Sequence, residues 1–191
     1  MTILVDMDDT IENLGLAWVD YLNRKYDKNV SWYDIRAWDM QIPYPDLTEE
    51  QINGALSEEE LWDNVTAKED APYYLKKLMD EGNDIFIVTA SWYSTIHTKM
   101  VRCLFKLFPF LSWNQVIVTN NKQMIKGDIL LDDNPENIVG GDYFGILFTA
   151  PHNMAYDDSK TDMVRVDNWK SAYLIIKSYE ETLYKSGEKN D

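Results

Sequence analysis

The sequence has very little cysteine and no long apolar run. Cys103 is the only cysteine among 191 residues, so a disulfide within the chain and a zinc site built from several cysteines are both excluded. We therefore expect a reducing, cytoplasmic environment. No apolar run approaches the ~20 residues of a membrane-spanning helix. Residues 1–6 lack a basic segment and end on a charge, so we expect neither a signal peptide nor a membrane partner.

Positive charge is also scarce. The chain has 18 Lys and Arg against 33 Asp and Glu, a net charge of -15. Such a surface repels phosphate backbones, so we expect no nucleic acid partner. A small phosphorylated substrate remains compatible with this charge if a divalent cation and a lysine cancel the repulsion locally.

Aromatic residues, in contrast, are abundant. The chain has 7 Trp and 12 Tyr, and 13% of its residues are aromatic. Most should pack in the core, and some could form a stacking pocket for a planar ligand. The 45% hydrophobic and 27% charged fractions are ordinary for a globular chain of one domain.

Short apolar runs alternate with helical patterns along the chain. The apolar runs predict buried strands at residues 3–5, 84–89, 115–118, 129–133, 143–148 and 163–166. Helical spacing or end signals predict helices at residues 10–26, 70–82, 93–108, 134–141 and 168–183. This alternation predicts an α/β fold with a mostly parallel sheet and helices on both faces.

Between the first two predicted strands the pattern changes. Residues 30–63 mix tryptophan, tyrosine and proline with acids, and residues 48–51 and 57–60 match capping boxes that open short helices. We interpret about residues 14–68 as a small helical cap inserted in a single domain covering 1–191. We expect residues 185–191, which are polar, to be frayed.

Two carboxylates follow the first predicted strand. Ligands bind at the carboxyl ends of strands in open parallel sheets, and Asp6 and Asp8 lie two residues apart at such an end. Close carboxylates need a cation or a proton between them, and oxygen ligands favour Mg²⁺. The alternative is that Asp8, Asp9 and Thr10 only turn the chain and cap the next helix.

Other polar residues lie at or before further strand ends. Asp132 and Asp133 end an otherwise apolar strand, where a second acidic pair favours a metal over a simple Asx turn. Thr89 ends another strand and could bond a phosphoryl oxygen, or could be a strand residue with a satisfied hydroxyl. Lys122 or Lys126 could offset the carboxylates, although each alone would ordinarily be a surface lysine.

Taken together, these blocks resemble the haloacid dehalogenase (HAD) superfamily. They are Asp-x-Asp-x-Thr at residues 6–10, Thr89, a lysine, and Asp-Asp at residues 132–133, and the resemblance covers residues 2 to about 150. Three further features narrow this resemblance to one family within the superfamily. They are the helical insertion, Ile-Val-Thr-Ala-Ser at residues 87–91, and Lys122, ten residues before the acidic pair. The chain resembles the 5'(3')-deoxyribonucleotidases, the cytosolic type C nucleotidases, which implies a Rossmann-like HAD fold with a helical cap.

The resemblance implies a Mg²⁺-dependent phosphomonoesterase that hydrolyses (deoxy)ribonucleoside monophosphates through an aspartyl-phosphate. Asp6 would be the nucleophile, and Asp8 the general acid and then base. The phosphate would be bound by Thr89, Ala90, Ser91 and Lys122, with Lys126 as the fallback lysine. Mg²⁺ would be held by Asp6, the backbone carbonyl of Asp8 and Asp133, with Asp132 in a supporting or alternate role.

Two positions depart from this family pattern. Family members often carry Gly where this chain has Asp9, and Asp tolerates a tight turn better than most residues. The family's base pocket includes an aromatic residue eight positions after the nucleophile, where this chain has Leu14. Trp38 and Trp62 of the insertion are then the best candidates to line the substrate pocket, with packing inside the cap as the alternative for each.

Other functions stay open. The first is a HAD phosphatase for another small phosphorylated metabolite, and the second is a non-catalytic nucleotide- or metal-binding module. An interaction domain with an acidic docking surface has only the net charge in its favour. Ser91 with His97 does not indicate a serine hydrolase, because the chain has no Gly-x-Ser-x-Gly motif. A homodimer is left open.

Overall fold

Six parallel strands form one sheet in the computed structural model, which describes residues 1–187. The strands are β1 (Thr2–Val5), β2 (Asp84–Thr89), β3 (Val116–Val118), β4 (Ile129–Asp132), β5 (Phe144–Phe148) and β6 (Val164–Val166). Their order is β3-β2-β1-β4-β5-β6, and every neighbouring pair runs parallel. The prediction of an α/β fold with a parallel sheet is confirmed.

The first strand lies in the middle of the sheet. Ile3 pairs with Ile85 of β2 on one side and with Ile129 of β4 on the other. Because the strand order reverses beside β1, the crevice at the carboxyl ends of β1, β2 and β4 is the usual place for a ligand in such sheets. The topology therefore brings Asp6, Thr89 and Asp132 to one edge.

Helices and short turns connect the strands. The helices are α1 (Leu14–Tyr26), α2 (Glu49–Gly54), α3 (Glu59–Asp63), α4 (Ala71–Asp80), α5 (Ile96–Thr98), α6 (Phe105–Leu107), α7 (Pro135–Ile138) and α8 (Trp169–Gly187). A π-helical segment, Lys99–Leu104, joins α5 to α6. The helix predicted at residues 93–108 therefore begins three residues later than expected and has an irregular middle.

Both faces of the sheet are covered, but unequally. Alternate side chains such as Ile3, Val5 and Leu131 face the larger core, which also contains Trp169 of α8. The other face buries Leu4 and its neighbours on β2, β4 and β5 against Ile138 of α7 and loop residues. Successive side chains of each strand thus point to opposite faces of the sheet, and both faces are apolar and covered, as is usual for a parallel sheet.

The segment predicted to be a cap, residues 14–68, contains helices and turns and no strand of the sheet. Its apolar residues, including Trp62, continue the larger core. Thr48 and Gln51 form the expected capping box, with side-chain bonds of 3.2 and 2.8 Å. The second predicted capping box, at residues 57–60, is wrong. Residues 55–57 form a 3-10 turn, so α3 begins one residue later, after Glu58, without a side-chain cap.

The last helix extends further than predicted. Residues 185–187 belong to α8, and the remainder of the tail predicted to be frayed, residues 188–191, lies outside the described residues. Trp169 anchors this helix near its start by donating a hydrogen bond of 3.0 Å from Nε1 to the Thr10 carbonyl oxygen. Within residues 1–187, none of the helices combines the length and the apolar character of a membrane span.

Candidate active site

The carboxyl ends of the central strands bring the predicted site residues together. The Asp6 backbone N–H donates to the Leu131 carbonyl oxygen at 2.8 Å, which fixes the end of β1 against β4. Asp6 and Asp132 are both buried. Lys122 reaches them from the short turn Lys122–Met124, which precedes β4.

Lys122 is an ion-pair partner of two of these acids. Its Nζ bonds Asp6 Oδ1 and lies 2.6 Å from Asp132 Oδ2, and the lysine is 2% exposed. Burial lowers the pKa of Lys122, but the charges of Asp6 and Asp132 outweigh burial and raise it, so the ammonium form is favoured. Lys126 is exposed, so the fallback lysine is not at the site.

The two acids after β4 have different surroundings. Asp132 accepts hydrogen bonds from the Asn134 backbone at 2.8 Å and from the Asn137 amide at 3.0 and 3.1 Å, in addition to Lys122. Asp133 is 1% exposed, and neither of its oxygens has a well-directed hydrogen-bond partner in residues 1–187. Asp133 is therefore the acid with an oxygen available for a ligand.

These carboxylates form a cluster that fits a cation. Oxygen atoms of Asp6, Asp132 and Asp133 lie within 4.8 Å of one another. Burial, Asp132 and Asp8 raise the pKa of Asp6 to about 7 against the lowering effect of Lys122. Burial, Asp6 and Asp132 raise the pKa of Asp133 as well. One lysine does not neutralise three acids, and an available oxygen of Asp133 fits a hard divalent cation.

Asp8 is held by a lysine that the sequence analysis did not single out. Lys99, at the start of the π-helical segment, is 2% exposed, and its Nζ lies 2.5 Å from Asp8 Oδ2. The same Nζ donates to Thr89 Oγ1 at 2.7 Å and to the Ala90 carbonyl oxygen at 3.3 Å. Lys99 thus joins the end of β2 to Asp8.

Glu12 is a buried acid next to Asp8. It is fully buried, and burial, followed by the charge of Asp8, raises its pKa well above the ordinary value. Neither of its carboxyl oxygens has a well-directed hydrogen-bond partner in the part of the chain that the structure describes. Glu12 therefore favours its protonated form, in which it can donate to the Asp8 carboxylate.

The turning and capping role considered for residues 8–10 belongs to Asp9. Asp9 has a left-handed backbone with a φ of 52°, a conformation that Gly and Asp adopt more readily than other residues. Both of its carboxylate oxygens lie 3.2 Å from the Gly15 backbone nitrogen in the first turn of α1. Asp9 therefore turns the chain and caps α1, whereas Asp6 and Asp8 form the site.

The predicted phosphate-binding residues line the site at the end of β2. Thr89 is fully buried, and its hydroxyl accepts from Lys99 and donates to the Ala90 carbonyl oxygen at 3.2 Å. The hydroxyl is therefore satisfied within the protein, as the alternative interpretation expected. Ala90 is exposed at the cavity, and Ser91 Oγ lies 3.2 Å from Thr95 Oγ1.

Two adjoining cavities open beside these residues and share Asp8, Ala90 and Asn120. The first, of about 250 Å³, is lined by Asp6, Trp38, Lys122 and Asp133 among others. The second, of about 190 Å³, is lined by Leu14, Trp62, Trp92 and Lys99 among others. Trp38 is 42% exposed, whereas Trp62 is 2% exposed and donates to the Leu56 carbonyl oxygen at 2.9 Å. Trp62 therefore both packs in the insertion and lines a cavity.

One histidine also lies at this edge. His152 follows β5 in the turn Pro151–Asn153, and its Nε2 is 2.7 Å from Asp133 Oδ2. Burial, and then Lys68, lower its pKa to about 4, so the ring is neutral at pH 7. The strand-end rule could have found His152, since it lies four residues after β5. Lys99 and Glu12 give no comparable sequence signal. Lys99 lies within a helical stretch and Glu12 lies just before α1, so neither is marked by the end of a strand.

The chain resembles known proteins over most of its length. The family model of the 5' nucleotidase, deoxy (pyrimidine), cytosolic type C proteins matches residues 1–180. The chain belongs to this family. The 5'(3')-deoxyribonucleotidase of Clostridium acetobutylicum is 30% identical over 182 residues, which cover 95% of this chain and 98% of that protein. The protein of the same name from Bacillus subtilis is 30% identical over 168 residues, 88% of this chain and 94% of that protein.

Solved structures agree on the fold. A haloacid dehalogenase-like protein from Agrobacterium tumefaciens has a TM-score of 0.66 at 12% identity, over 93% of this chain and 97% of its own. A HAD family hydrolase from Deinococcus radiodurans, with bound phosphate and sodium, has a TM-score of 0.63 at 11% identity, over 94% and 96%. The predicted cytosolic type C nucleotidase family and HAD-like fold are both confirmed, and with them the prediction of a nucleotidase-type phosphatase.

Proposed function

We propose that this chain is a Mg²⁺-dependent phosphomonoesterase that hydrolyses nucleoside monophosphates to nucleoside and phosphate through an aspartyl-phosphate at Asp6. The observation that carries the proposal is the position of the buried Asp6. It meets Lys122, and one of its oxygens lies within 4.8 Å of an Asp133 oxygen, at the carboxyl end of β1. A nucleophilic carboxylate, a cation and a phosphoryl oxygen can meet at that point.

In the first step an Asp6 oxygen attacks phosphorus, and the bond from phosphorus to the ester oxygen breaks. Asp8, in the protonated form that the second step restores, gives its proton to that oxygen, so that the nucleoside leaves as a neutral alcohol. In the second step Asp8 takes a proton from water, whose oxygen attacks the phosphorus of the aspartyl-phosphate. Phosphate leaves, Asp6 is restored as a carboxylate, and Asp8 is protonated again.

Lysines support both steps. Lys122, between Asp6 and Asp132, is placed to bind a phosphoryl oxygen and to stabilise the negative charge of the transition state. Ala90 and Ser91 border the same cavity, and Thr89 contributes through Lys99. Lys99 and Glu12 hold the side chain of Asp8 between them, which fixes its direction toward the leaving oxygen.

The residues around Asp6 fit the metal that this proposal requires. Mg²⁺ would be held by Asp6, the backbone carbonyl of Asp8 and Asp133, while Asp132 orients Lys122. When bound, the metal supplies charge that shields the phosphate from the approaching Asp6 carboxylate. The absence of a well-directed hydrogen bond to Asp133 from the described residues and the saturated hydrogen bonding of Asp132 support this division.

The insertion supplies the substrate side of the site. We propose that residues 14–68 act as the cap of a single HAD-like domain, with Leu14, Trp38 and Trp62 at the nucleoside. Trp38 and Trp62 line the two cavities next to Asp8. Relatives are named 5'(3')-deoxyribonucleotidases, which supports a nucleotide as the substrate. A cytoplasmic location and a homodimer stay predictions.

A phosphate-release assay tests this function. The purified chain is assayed with deoxy- and ribonucleoside monophosphates and with sugar phosphates, in EDTA and in Mg²⁺. We expect release from nucleotides only with Mg²⁺. Efficient release from sugar phosphates alone would favour a phosphatase for another metabolite, and nucleotide binding without release would favour a non-catalytic module.

The exposed Trp38 distinguishes nucleotide recognition from general phosphate binding. Stacking on an aromatic side chain contributes ~1–3 kcal/mol per base, so Trp38→Ala should raise KM for a nucleotide about tenfold. The same variant should leave hydrolysis of a small sugar phosphate nearly unchanged. Equal losses on both substrates would show that Trp38 does not contact the base.

A further inference from the structure

The buried His152 is not used by the proposed chemistry, yet it touches a predicted metal ligand. Its side chain is 1% exposed, as is that of Asp133, and Nε2 lies 2.7 Å from Asp133 Oδ2. Neither ring nitrogen has a well-directed hydrogen-bond partner among the described residues, and neither does either oxygen of Asp133. A buried donor and a buried acceptor at this distance have a strong reason to pair with each other.

Packing restricts the position of the His152 ring. Trp38 packs on it with a centroid distance of 4.0 Å, and Trp32 lies at 5.8 Å. Trp32 occupies the space over Gly15, where an added Cβ would lie 2.1 Å from the indole ring. The next residue, Asn153, donates to the Asp133 carbonyl oxygen at 2.6 Å. The insertion and the turn after β5 thus hold His152 against Asp133.

The distance of this contact fits a hydrogen bond better than two ligands of a second metal ion, although the ring N–H is not aligned with the carboxylate in the structure. Ligand atoms of Asp9, Asp133 and His152 lie within 4.8 Å of one another. However, two ligands about 2.1 Å from one ion and at least 90° apart are separated by about 3 Å. The 2.7 Å separation is the distance of a hydrogen bond, and the Asp9 carboxylate already accepts from Gly15.

We propose that His152 is a positioning residue for the metal site. When the metal binds, a small rotation of the ring or the carboxylate lets the neutral ring donate Nε2–H to one oxygen of Asp133, which directs the other oxygen toward the metal. Hydrogen bonds of this kind to a metal ligand fix its orientation, and their loss typically lowers metal affinity by about 10–100-fold. The inference rests on the proposed function, because it assigns a residue that supports the Mg²⁺ ligand Asp133.

Calorimetric titration of the full chain with Mg²⁺, without substrate, tests this role. The amide nitrogen of Gln can replace Nε2 of His, whereas that of Asn replaces Nδ1. We expect His152→Asn and His152→Leu to weaken Mg²⁺ binding about 10–100-fold, and His152→Gln to stay within a few-fold of the wild type. His97→Gln, at the exposed second histidine, is the matched control and should bind as the wild type does.

The variants also separate this inference from the proposed function. Similar melting temperatures of the Gln and Asn variants in EDTA would show that both variants fold alike. A difference in their Mg²⁺ affinities would then result from the different position of the amide nitrogen that donates to Asp133. Equal Mg²⁺ affinities of the Gln, Asn and wild-type proteins, or equal losses in both variants, would overturn the role of His152 while leaving the nucleotidase intact. A wild-type chain that releases phosphate from nucleotides but binds no Mg²⁺ would overturn the metal assignment and this inference together.

Discussion

Lys99 is the buried cation on which the Asp8 side of the site depends. Its Nζ has three partners, Asp8, Thr89 and the Ala90 carbonyl oxygen, and the side chain is 2% exposed. A buried ammonium is costly to desolvate unless it is paired in this way. Lys99 therefore balances the Asp8 carboxylate and, at the same time, fixes where that carboxylate points.

Lys99→Met is expected to destabilise the fold and to slow turnover. Removing one partner of a buried pair costs about 3–5 kcal/mol, and misplacing a general acid costs about 100-fold or more in kcat. Urea unfolding and steady-state kinetics measure the two losses. Lys126→Met, at an exposed lysine, is the control.

A double-mutant cycle identifies the cause of the lost stability. If the unpaired Asp8 is responsible, adding Asp8→Asn to Lys99→Met should recover part of the unfolding free energy. Strictly additive losses in the double variant would contradict direct coupling between Lys99 and Asp8.

The sequence identified only some of the individual site residues. Asp6, Thr89 and Asp133 follow or end apolar strands, and parallel strands bring their carboxyl ends together. Lys99 and Glu12 could not be found in this way, since their spacing in the chain resembles that of ordinary surface residues. Only the three-dimensional packing buries them and gives each its partner.

At the scale of the elements, strands were easier to predict than helix boundaries. Every predicted strand is present to within two residues at each end, because an apolar run leaves little freedom for a buried strand. The helix predicted from residue 10 begins at Leu14 instead, since Asp9 turns the chain before α1. The π-helical segment Lys99–Leu104 departs from the 3.6-residue period, which is why periodicity did not reveal it.

The turn into α1 gives a prediction about Asp9. Its φ of 52° costs an ordinary residue about 1–2 kcal/mol, and Gly avoids this cost. Asp9→Gly and Asp9→Ala both lose the carboxylate that accepts from Gly15, so their difference isolates the backbone. We expect Asp9→Gly to be more stable than Asp9→Ala by about 1 kcal/mol in urea unfolding.

Two other aspartates provide the comparison. Asp27, after α1, is exposed and also has a φ of 52°, so Gly should again be better than Ala there. Asp80 is in the last turn of α4, where Ala should be better than Gly. Ala better than Gly at Asp9 would show that the left-handed turn is not needed.

At the scale of the whole molecule, the buried acids lie together at one edge of the sheet. The net charge is -15, and burial raises the pKa of both Asp6 and Asp9 to about 7. An acid whose pKa is higher in the folded state stabilises the fold when protonated. That contribution is fully present below the unfolded pKa and is lost as the pH rises through the folded pKa.

Stability without metal should therefore fall as the pH rises from about 4 to about 7. In EDTA we expect the melting temperature to be lower at pH 8 than at pH 5. Added Mg²⁺ should raise it more at pH 8, because the ionised carboxylates bind the cation. Differential scanning fluorimetry at both pH values tests this, with Asp6→Asn expected to show a weaker pH dependence. A flat pH profile, or the same Mg²⁺ effect at both pH values, would contradict the buried acidic cluster.

The position of the phosphoryl group during turnover tests the central claim most directly. The chain is quenched in acid while it hydrolyses a nucleoside monophosphate with Mg²⁺, reduced with borohydride and mapped by peptide mass spectrometry. Reduction converts an acyl phosphate to an alcohol, so the account predicts homoserine in place of Asp6, and no such product in Asp6→Asn. Reduction at another acid, or phosphate release with no reducible adduct, would contradict the assignment of Asp6 as the nucleophile.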